Sequence, residues 1–164
     1  MSKIRIAAFA LFFTCVLTFA GYRFRSRPVT ASGPVGPSKP QTHEDLRQFM
    51  QSRVHQEYTF MSFTIWHDRP LTPTKMDSIA VSSSRVIDLT KELTGYAAIY
   101  KQQGWSNDDV KFFEEKRLQL SRVAEELNRA AKKHDSSEVI NFFMHMDNTC
   151  QSCHKRFRPD LQWI

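Results

Sequence analysis

The sequence near the C-terminus reads Cys150-Gln151-Ser152-Cys153-His154. Two cysteines three positions apart, followed directly by a histidine, form the pattern for covalent attachment of a c-type haem. Each thiol adds to one vinyl group of the porphyrin, and the imidazole is the proximal iron ligand. The alternatives are a redox dithiol and half of a zinc site. A dithiol of the thioredoxin kind needs a βαβ context, and a tetrahedral zinc site needs a second pair of ligands.

The charge of the chain is distributed unevenly. The whole chain has a formal charge of +6, and residues 1–42 contain six lysines and arginines and no acid. Residues 43–164 are therefore net neutral. A nucleic-acid-binding domain needs a basic patch of its own, so the composition argues against nucleic acid as a partner.

The N-terminal segment, residues 1–27, is read as a signal or anchor segment with a basic flank. A short basic start precedes an apolar run at 6–20, whose length lies between a signal-peptide core and a spanning helix. Cys15 is read as an ordinary apolar residue of this run. Residues 28–41, rich in Pro, Gly and Ser, are read as a linker. We expect the remaining chain on the periplasmic side of a bacterial membrane, either anchored by the N-terminal helix or released by cleavage.

Residues 42–164 are predicted to form one all-α domain. Apolar residues recur at steps of three and four over 42–66, 72–104, 106–134 and 135–159, with capping residues at each start. Gly95 is expected to bend or fray the second stretch. Short connections between long amphipathic helices predict an antiparallel up-down-up-down four-helix bundle. The last stretch places both cysteines on its core-facing side.

A four-helix chain with Cys-x-x-Cys-His near its C-terminal end, continued by Phe157 and Arg158, resembles the class II c-type cytochromes. This family comprises cytochrome c′ and its low-spin, cytochrome c556-like relatives. The resemblance covers about residues 43–160. It implies one covalent haem c, with thioethers at Cys150 and Cys153 and His154 as the proximal ligand to the haem iron. It also implies that Phe157 packs near the haem and that Arg156 or Arg158 lies near its exposed edge.

In the family, the first helix closes the opposite face of the haem. Arg47-Gln48 resembles the family's Arg-Gln pair, which implies that Arg47 meets a propionate. The residue four positions after that arginine ligates or blocks the iron in the family, but here it is Gln51. Met50 is our first choice for the distal iron ligand, Met61 the second and His55 the third, and a five-coordinate iron stays open. His43, His67, His134 and His145 are expected at the surface.

The leading functional hypothesis is an exported or membrane-tethered monohaem cytochrome that carries single electrons between redox partner proteins. One alternative is a five-coordinate haem protein that binds NO or CO. A second is a haem-free helical domain that uses its cysteine pair as a dithiol or for metal. No catalytic constellation is recognised, so no enzyme is expected. A homodimer is also considered. Tyr96, Tyr100 and Trp105 are expected either to serve such an interface or to cap the end of the bundle.

Overall fold

The computed structural model describes residues 42–158, and the predicted signal or anchor segment and linker lie outside this range. All elements of the described range are helical. They are α1 (His43–Phe49), a π-helical segment (Met50–Val54), α2 (His55–Trp66), α3 (Pro73–Glu92), α4 (Tyr96–Gln102), α5 (Asn107–Lys132) and α6 (Ser136–Phe157). The first three run on without a break and are called the first rod. This all-helical arrangement confirms the predicted fold class.

The helices begin where local capping chemistry places them. The Thr42 hydroxyl accepts a hydrogen bond from the Asp45 amide, and the Asp45 carboxylate accepts one from the Thr42 amide. Ser106 and Asp109 form the same reciprocal box at the start of α5. At the start of α6, the Asp135 carboxylate accepts from two backbone amides. Each box satisfies amides that have no partner within their own helix.

The π-helical segment in the first rod was not predicted. At its C-terminal end the His55 amide donates to the Met50 carbonyl, five residues back instead of four. Such a segment adds about one residue to a turn and often lies at a functional site. Side chains four residues apart drift around the axis of a regular α-helix. In the wider turn of the π-helical segment they stay on the same face of the rod.

The second predicted stretch is divided into two helices. α3 ends at Glu92, and Gly95 adopts a left-handed conformation with φ of 90° before α4 begins. Glycine takes this conformation without steric cost. Gly104, with φ of 101°, ends α4 in the same way and turns the chain toward α5. The expected bend at Gly95 is confirmed, and it turns the last part of the stretch into a separate short helix.

Contacts between the helices show that neighbours run in opposite directions. Arg53 of the first rod pairs with Glu92, whereas Glu57, further along the rod, accepts from the earlier Ser82 of α3. In the same way, Arg117 of α5 reaches the Thr90 carbonyl, and Asn128 reaches that of Ala80. The rod and α6 follow the pattern too, through Tyr58 to Asp147 and Trp66 to Phe143. The described helices therefore form the predicted antiparallel bundle.

The buried side chains form two clusters along the bundle. The closed-end cluster contains Met61, Ile65, Met76, Ile79, Ala80, Val86, Leu120, Ala124, Leu127, Ala130, Ala131, Val139, Phe143 and Met146. The open-end cluster contains Phe49, Val54, Leu89, Leu93, Tyr96, Ala97, Tyr100 and Phe113. Within residues 42–158, no helix combines the length and the apolar character needed to cross a bilayer.

Candidate haem site

A cleft of about 340 Å³ lies at the open end of the bundle. One wall is the N-terminal part of the first rod, and the opposite wall is the C-terminal part of α6. Its lining residues are His43, Leu46, Arg47, Met50, Gln51, Val54, His55, Tyr58, Trp105, Phe113, Asp147, Cys150, Cys153, His154, Phe157 and Arg158. The attachment motif predicted from sequence therefore faces the first rod across an open space.

The two cysteines lie on the α6 wall as free thiols. Burial raises the pKa of Cys150 to about 12, and the nearby Cys153 and Asp147 add to the rise. Burial likewise raises the pKa of Cys153 to about 11. A reactive dithiol needs a lowered pKa, because the thiolate is the nucleophile. These thiols are therefore protonated at neutral pH, which disfavours the redox-dithiol hypothesis.

The metal-binding alternative finds no support among residues 42–158. No group of three or more His, Cys, Asp or Glu side chains is arranged there to hold a metal ion. Within this range the cysteine pair is therefore not joined by the further protein ligands that a tetrahedral zinc site requires.

His154 follows Cys153 on the same wall of the cleft. Burial lowers the pKa of its imidazole, and the positive charges of Arg158 and His55 lower it further. A neutral imidazole is the form that binds a metal ion. The effect of His55 also places this side chain of the first rod within electrostatic range of His154.

The first rod presents two rows of side chains to the cleft. One row is Leu46, Met50, Val54 and Tyr58, and the other is Arg47, Gln51 and His55, with steps of four in each. The π-helical segment lies within both rows and keeps them on the cleft side. Met50, Gln51 and His55 therefore all face the space opposite His154.

Met61 does not take part in this wall. Its side chain is fully buried in the closed-end cluster and does not line the cleft. A gap-filling role in the core is typical of methionine. Met61, our second choice for the distal iron ligand, is therefore a core residue instead.

The arginines expected around the site lie in two different places. Arg47 and Arg158 line the cleft, and Arg47 also pairs with Glu44 through an Nε–Oε2 contact of 2.8 Å. Arg156 instead pairs with Asp109 at 2.8 Å. Of the two arginines named for the exposed edge, Arg158 is therefore the one in the cleft.

The four histidines expected at the surface are all exposed. His43 nevertheless also lines the mouth of the cleft, which its sequence position did not reveal.

An aromatic stack forms the end wall of the cleft. The Trp105 ring lies parallel to Phe157 and to Tyr100, with centroid separations of 4.4 Å in both cases. Tyr96 and Tyr100 are almost completely buried. These aromatics therefore cap the end of the bundle, and Phe157 lines the cleft.

Asp147 and Tyr58 form a link across the cleft that the sequence did not predict. The Tyr58 hydroxyl donates to one carboxylate oxygen of Asp147 at 2.8 Å, and the Gln151 amide donates to the other at 2.8 Å. The four-residue spacing of Asp147 and Gln151 on one helix can be read from the sequence. The contact with Tyr58 depends on how the first rod meets α6.

Residues 97–158 match the family model described as Cytochrome C′. The match confirms the resemblance to the class II c-type cytochromes. No curated protein and no solved structure matches the chain. The cytochrome c′ match spans α4, α5 and α6, and so includes the attachment motif, whereas the first rod lies outside it.

The residues of the cleft fit the haem that the cytochrome c′ family implies. Two protonated, unpaired thiols and a neutral imidazole lie on one wall. Apolar and aromatic side chains form most of the rest, and the cationic residues Arg47 and Arg158 also line the cleft. A haem places its apolar ring in such an environment and its carboxylates near cations. The match to the cytochrome c′ family therefore implies a haem cofactor, with electron transfer or gas binding as the function.

Proposed function

We propose that this protein carries single electrons as a monohaem c-type cytochrome. The observation that carries the proposal is the arrangement of Cys150, Cys153 and His154 on one wall of the cleft, opposite Met50 on the other. Cys150 and Cys153 would attach the haem covalently to α6, and His154 would bind its iron. The bound haem supplies the one-electron couple of its iron.

Met50 is proposed as the distal ligand on the strength of its position. Its half-buried side chain faces the cleft at the start of the π-helical segment. Methionine with histidine as axial ligands raises the reduction potential of a c-type haem and suits electron transfer. Gln51, at the family's usual step from Arg47, offers an amide that is a poor ligand for iron. The thioether sulfur of Met50, in the adjacent row, is therefore the better iron ligand.

The experiment is the absorption and EPR spectrum of the ferric protein and of two variants. We expect a low-spin wild type with the near-infrared charge-transfer band of methionine ligation. Met50→Ala should lose that band and become high-spin, while Met144→Ala, at an exposed methionine on α6, should match the wild type. An unchanged low-spin spectrum in Met50→Ala would remove Met50 as the ligand and turn attention to His55.

Gas binding is the second candidate function, and Gln51 is the observation that favours it. If Gln51 occupies the position facing the iron, the iron has no strong protein ligand on that side. The wild type would then be high-spin in the ferric form, and its ferrous form would bind CO rapidly without displacing a side chain. Slow CO binding that becomes fast in Met50→Ala favours the electron-transfer proposal.

We further propose that the domain works on the periplasmic side of a bacterial membrane. The support is the apolar run at 6–20, its basic flanks and the Pro/Gly/Ser-rich segment at 28–41. Attachment of haem c on the outer side of the membrane agrees with this location.

The test is fractionation of cells with N-terminal sequencing of the haem-containing chain. A tethered protein is found in the membrane fraction with an intact N-terminus, and a cleaved one is soluble in the periplasm. Haem-containing protein confined to the cytoplasm would overturn the proposal.

A further inference from the structure

Asp147 is the one carboxylate among the cleft-lining residues of the described chain. It lies on α6, one turn before Cys150 and two turns before His154, so it shares their face of the helix. Its negative charge contributes to the raised pKa of Cys150. Asp147 is therefore close to the point where the first thioether of the haem would form.

The carboxylate is held from two sides. Tyr58 donates to its Oδ1 atom from the first rod, and Gln151 donates to its Oδ2 atom from the next turn of α6, both at 2.8 Å. The two hydrogen bonds restrain both carboxylate oxygens. The charge is thus fixed in place beside the cleft.

Tyr58 is itself positioned by ring contacts. It stacks on Phe143 with a centroid separation of 5.4 Å and on His55 at 6.2 Å. Burial and the hydrogen bond to Asp147 raise the pKa of the Tyr58 hydroxyl, so it stays protonated and donates at neutral pH. The donor and the carboxylate consequently keep their relative geometry.

We propose that Asp147 tunes the reduction potential of the haem, with Tyr58 as its positioning residue. The proposal rests on the electron-transfer function proposed above. Ferric iron carries one more positive charge than ferrous iron, so a fixed negative charge nearby stabilises the oxidised state. Partial exclusion of water strengthens this effect, because screening is weaker there than at the open surface. Asp147 therefore lowers the potential.

The test is spectroelectrochemical titration of the holoprotein at neutral pH. Asp147→Asn keeps the shape and an acceptor oxygen for Tyr58 but removes the charge. We expect it to change the equilibrium ratio of oxidised to reduced haem about tenfold toward the reduced form, a rise of about 59 mV for one electron. Asp147→Glu keeps the charge and should stay nearer to the wild-type potential. The control is Asp88→Asn, an exposed carboxylate on α3 that pairs with Lys91, and it should leave the potential unchanged.

A second variant tests the proposal independently of Asp147. Tyr58→Phe retains the stacking ring and the carboxylate but removes one hydrogen bond. The freed carboxylate can turn toward water, so a smaller rise in potential is expected.

The outcomes separate this inference from the proposed function. An unchanged potential in Asp147→Asn, or equal shifts in Asp147→Asn and Asp147→Glu, would overturn the tuning role. A wild type that has no reversible one-electron couple would overturn the electron-transfer function itself.

Discussion

The two ends of the bundle place similar residues in opposite environments. Met61 and Met50 lie on the same predicted stripe of the first rod. Met61 is fully buried among apolar neighbours at the closed end, whereas Met50 faces the cleft at the open end. The apolar stripe alone does not distinguish a methionine buried in the core from one that faces the cleft. The difference comes from what lies opposite: α3, α5 and α6 at the closed end, and the space before His154 at the open end.

The two ends also differ in how they are held together. The closed end is packed with aliphatic side chains and contains one buried amide network around Asn128. The open end depends on aromatic stacking around Trp105 and on hydrogen bonds and ion pairs between helices. We infer that the closed end supplies most of the stability and the open end supplies the site.

The largest effect on stability is expected from Met61→Ala at the closed end. Truncating a fully buried methionine removes apolar burial and leaves a cavity, at a cost of about 2–5 kcal/mol in the free energy of unfolding. Denaturant unfolding of the holoprotein measures this loss, while the haem spectrum should stay that of the wild type. The control is Met144→Ala, whose side chain is 52% exposed and should change stability by less than about 0.5 kcal/mol. A changed axial-ligand spectrum in Met61→Ala would show that the two ends are not separate.

The next largest effect is expected from Asn128→Ala. The Asn128 amide donates to the Ala80 carbonyl and to the Ser83 hydroxyl at 3.2 Å, joining α5 to α3. Losing these buried hydrogen bonds costs about 1–3 kcal/mol. Thermal unfolding followed by circular dichroism checks this value, with Asn148→Ala, at an exposed asparagine of α6, as the control. Equal losses in the two variants would contradict the buried network's role.

A smaller effect is expected from Trp105→Leu at the open end. Trp105 loses its stacking on Phe157 and Tyr100. Each aromatic pair contributes about 0.5–1.5 kcal/mol beyond area burial. Because Trp105 is only half-buried, we expect both pairs at the lower end of this range, a loss of about 1 kcal/mol in the free energy of unfolding. The haem spectrum should also shift, since this wall lines the cleft.

Trp66→Leu is the control for that prediction, because Trp66 is 42% exposed and touches Phe143 edge-on. Its haem spectrum should be that of the wild type. A spectral shift in Trp66→Leu but not in Trp105→Leu would reverse the assignment of the two ends.

The smallest effect is expected from Asp109→Asn, and it depends on pH. The hydrogen bond from Ser106 and then that from Arg156 lower the pKa of Asp109 below its usual 3.8. The ionised carboxylate therefore stabilises the folded state above the unfolded pKa, and this contribution is lost as the pH falls through the lowered folded value. The variant should melt below the wild type at pH 7, and the difference should shrink as acid is added.

Asp108→Asn is the matched control for this pH dependence, since it removes an acid from the same turn without touching the pair with Arg156. Its deficit at pH 7 should be the smaller of the two. A deficit in Asp109→Asn that stays constant from neutral to acid pH would contradict the role of the charge.

The sequence predicted the helices well because their signals are local. The caps at Thr42, Ser106 and Asp135 and the turn at Gly95 depend on neighbours within a few residues. The apolar stripes likewise report which face of each helix is buried. These local features were sufficient to predict the bundle and the position of the cysteines on its inner side.

The sequence did not predict features that depend on how helices meet. The π-helical segment contains Arg53, which pairs with Glu92 on α3 and lies over the Phe49 ring, and nothing in the local pattern shows these contacts. The pairing of Tyr58 with Asp147 joins residues that are 89 positions apart in the sequence. Met50 was ranked first and Met61 second as the distal ligand, although both lie on the same stripe of the first rod. Only the position of α6 separates them.

The most direct test of the haem site is the mass of one peptide. Digestion of the holoprotein after lysine and arginine releases residues 134–155, which contain the whole attachment motif. We expect this peptide to carry the mass of one haem and to have no titratable thiol. In a variant with serine at both Cys150 and Cys153, the peptide should carry no haem. An unmodified peptide with two free thiols, from protein produced where c-type maturation operates, would contradict the account.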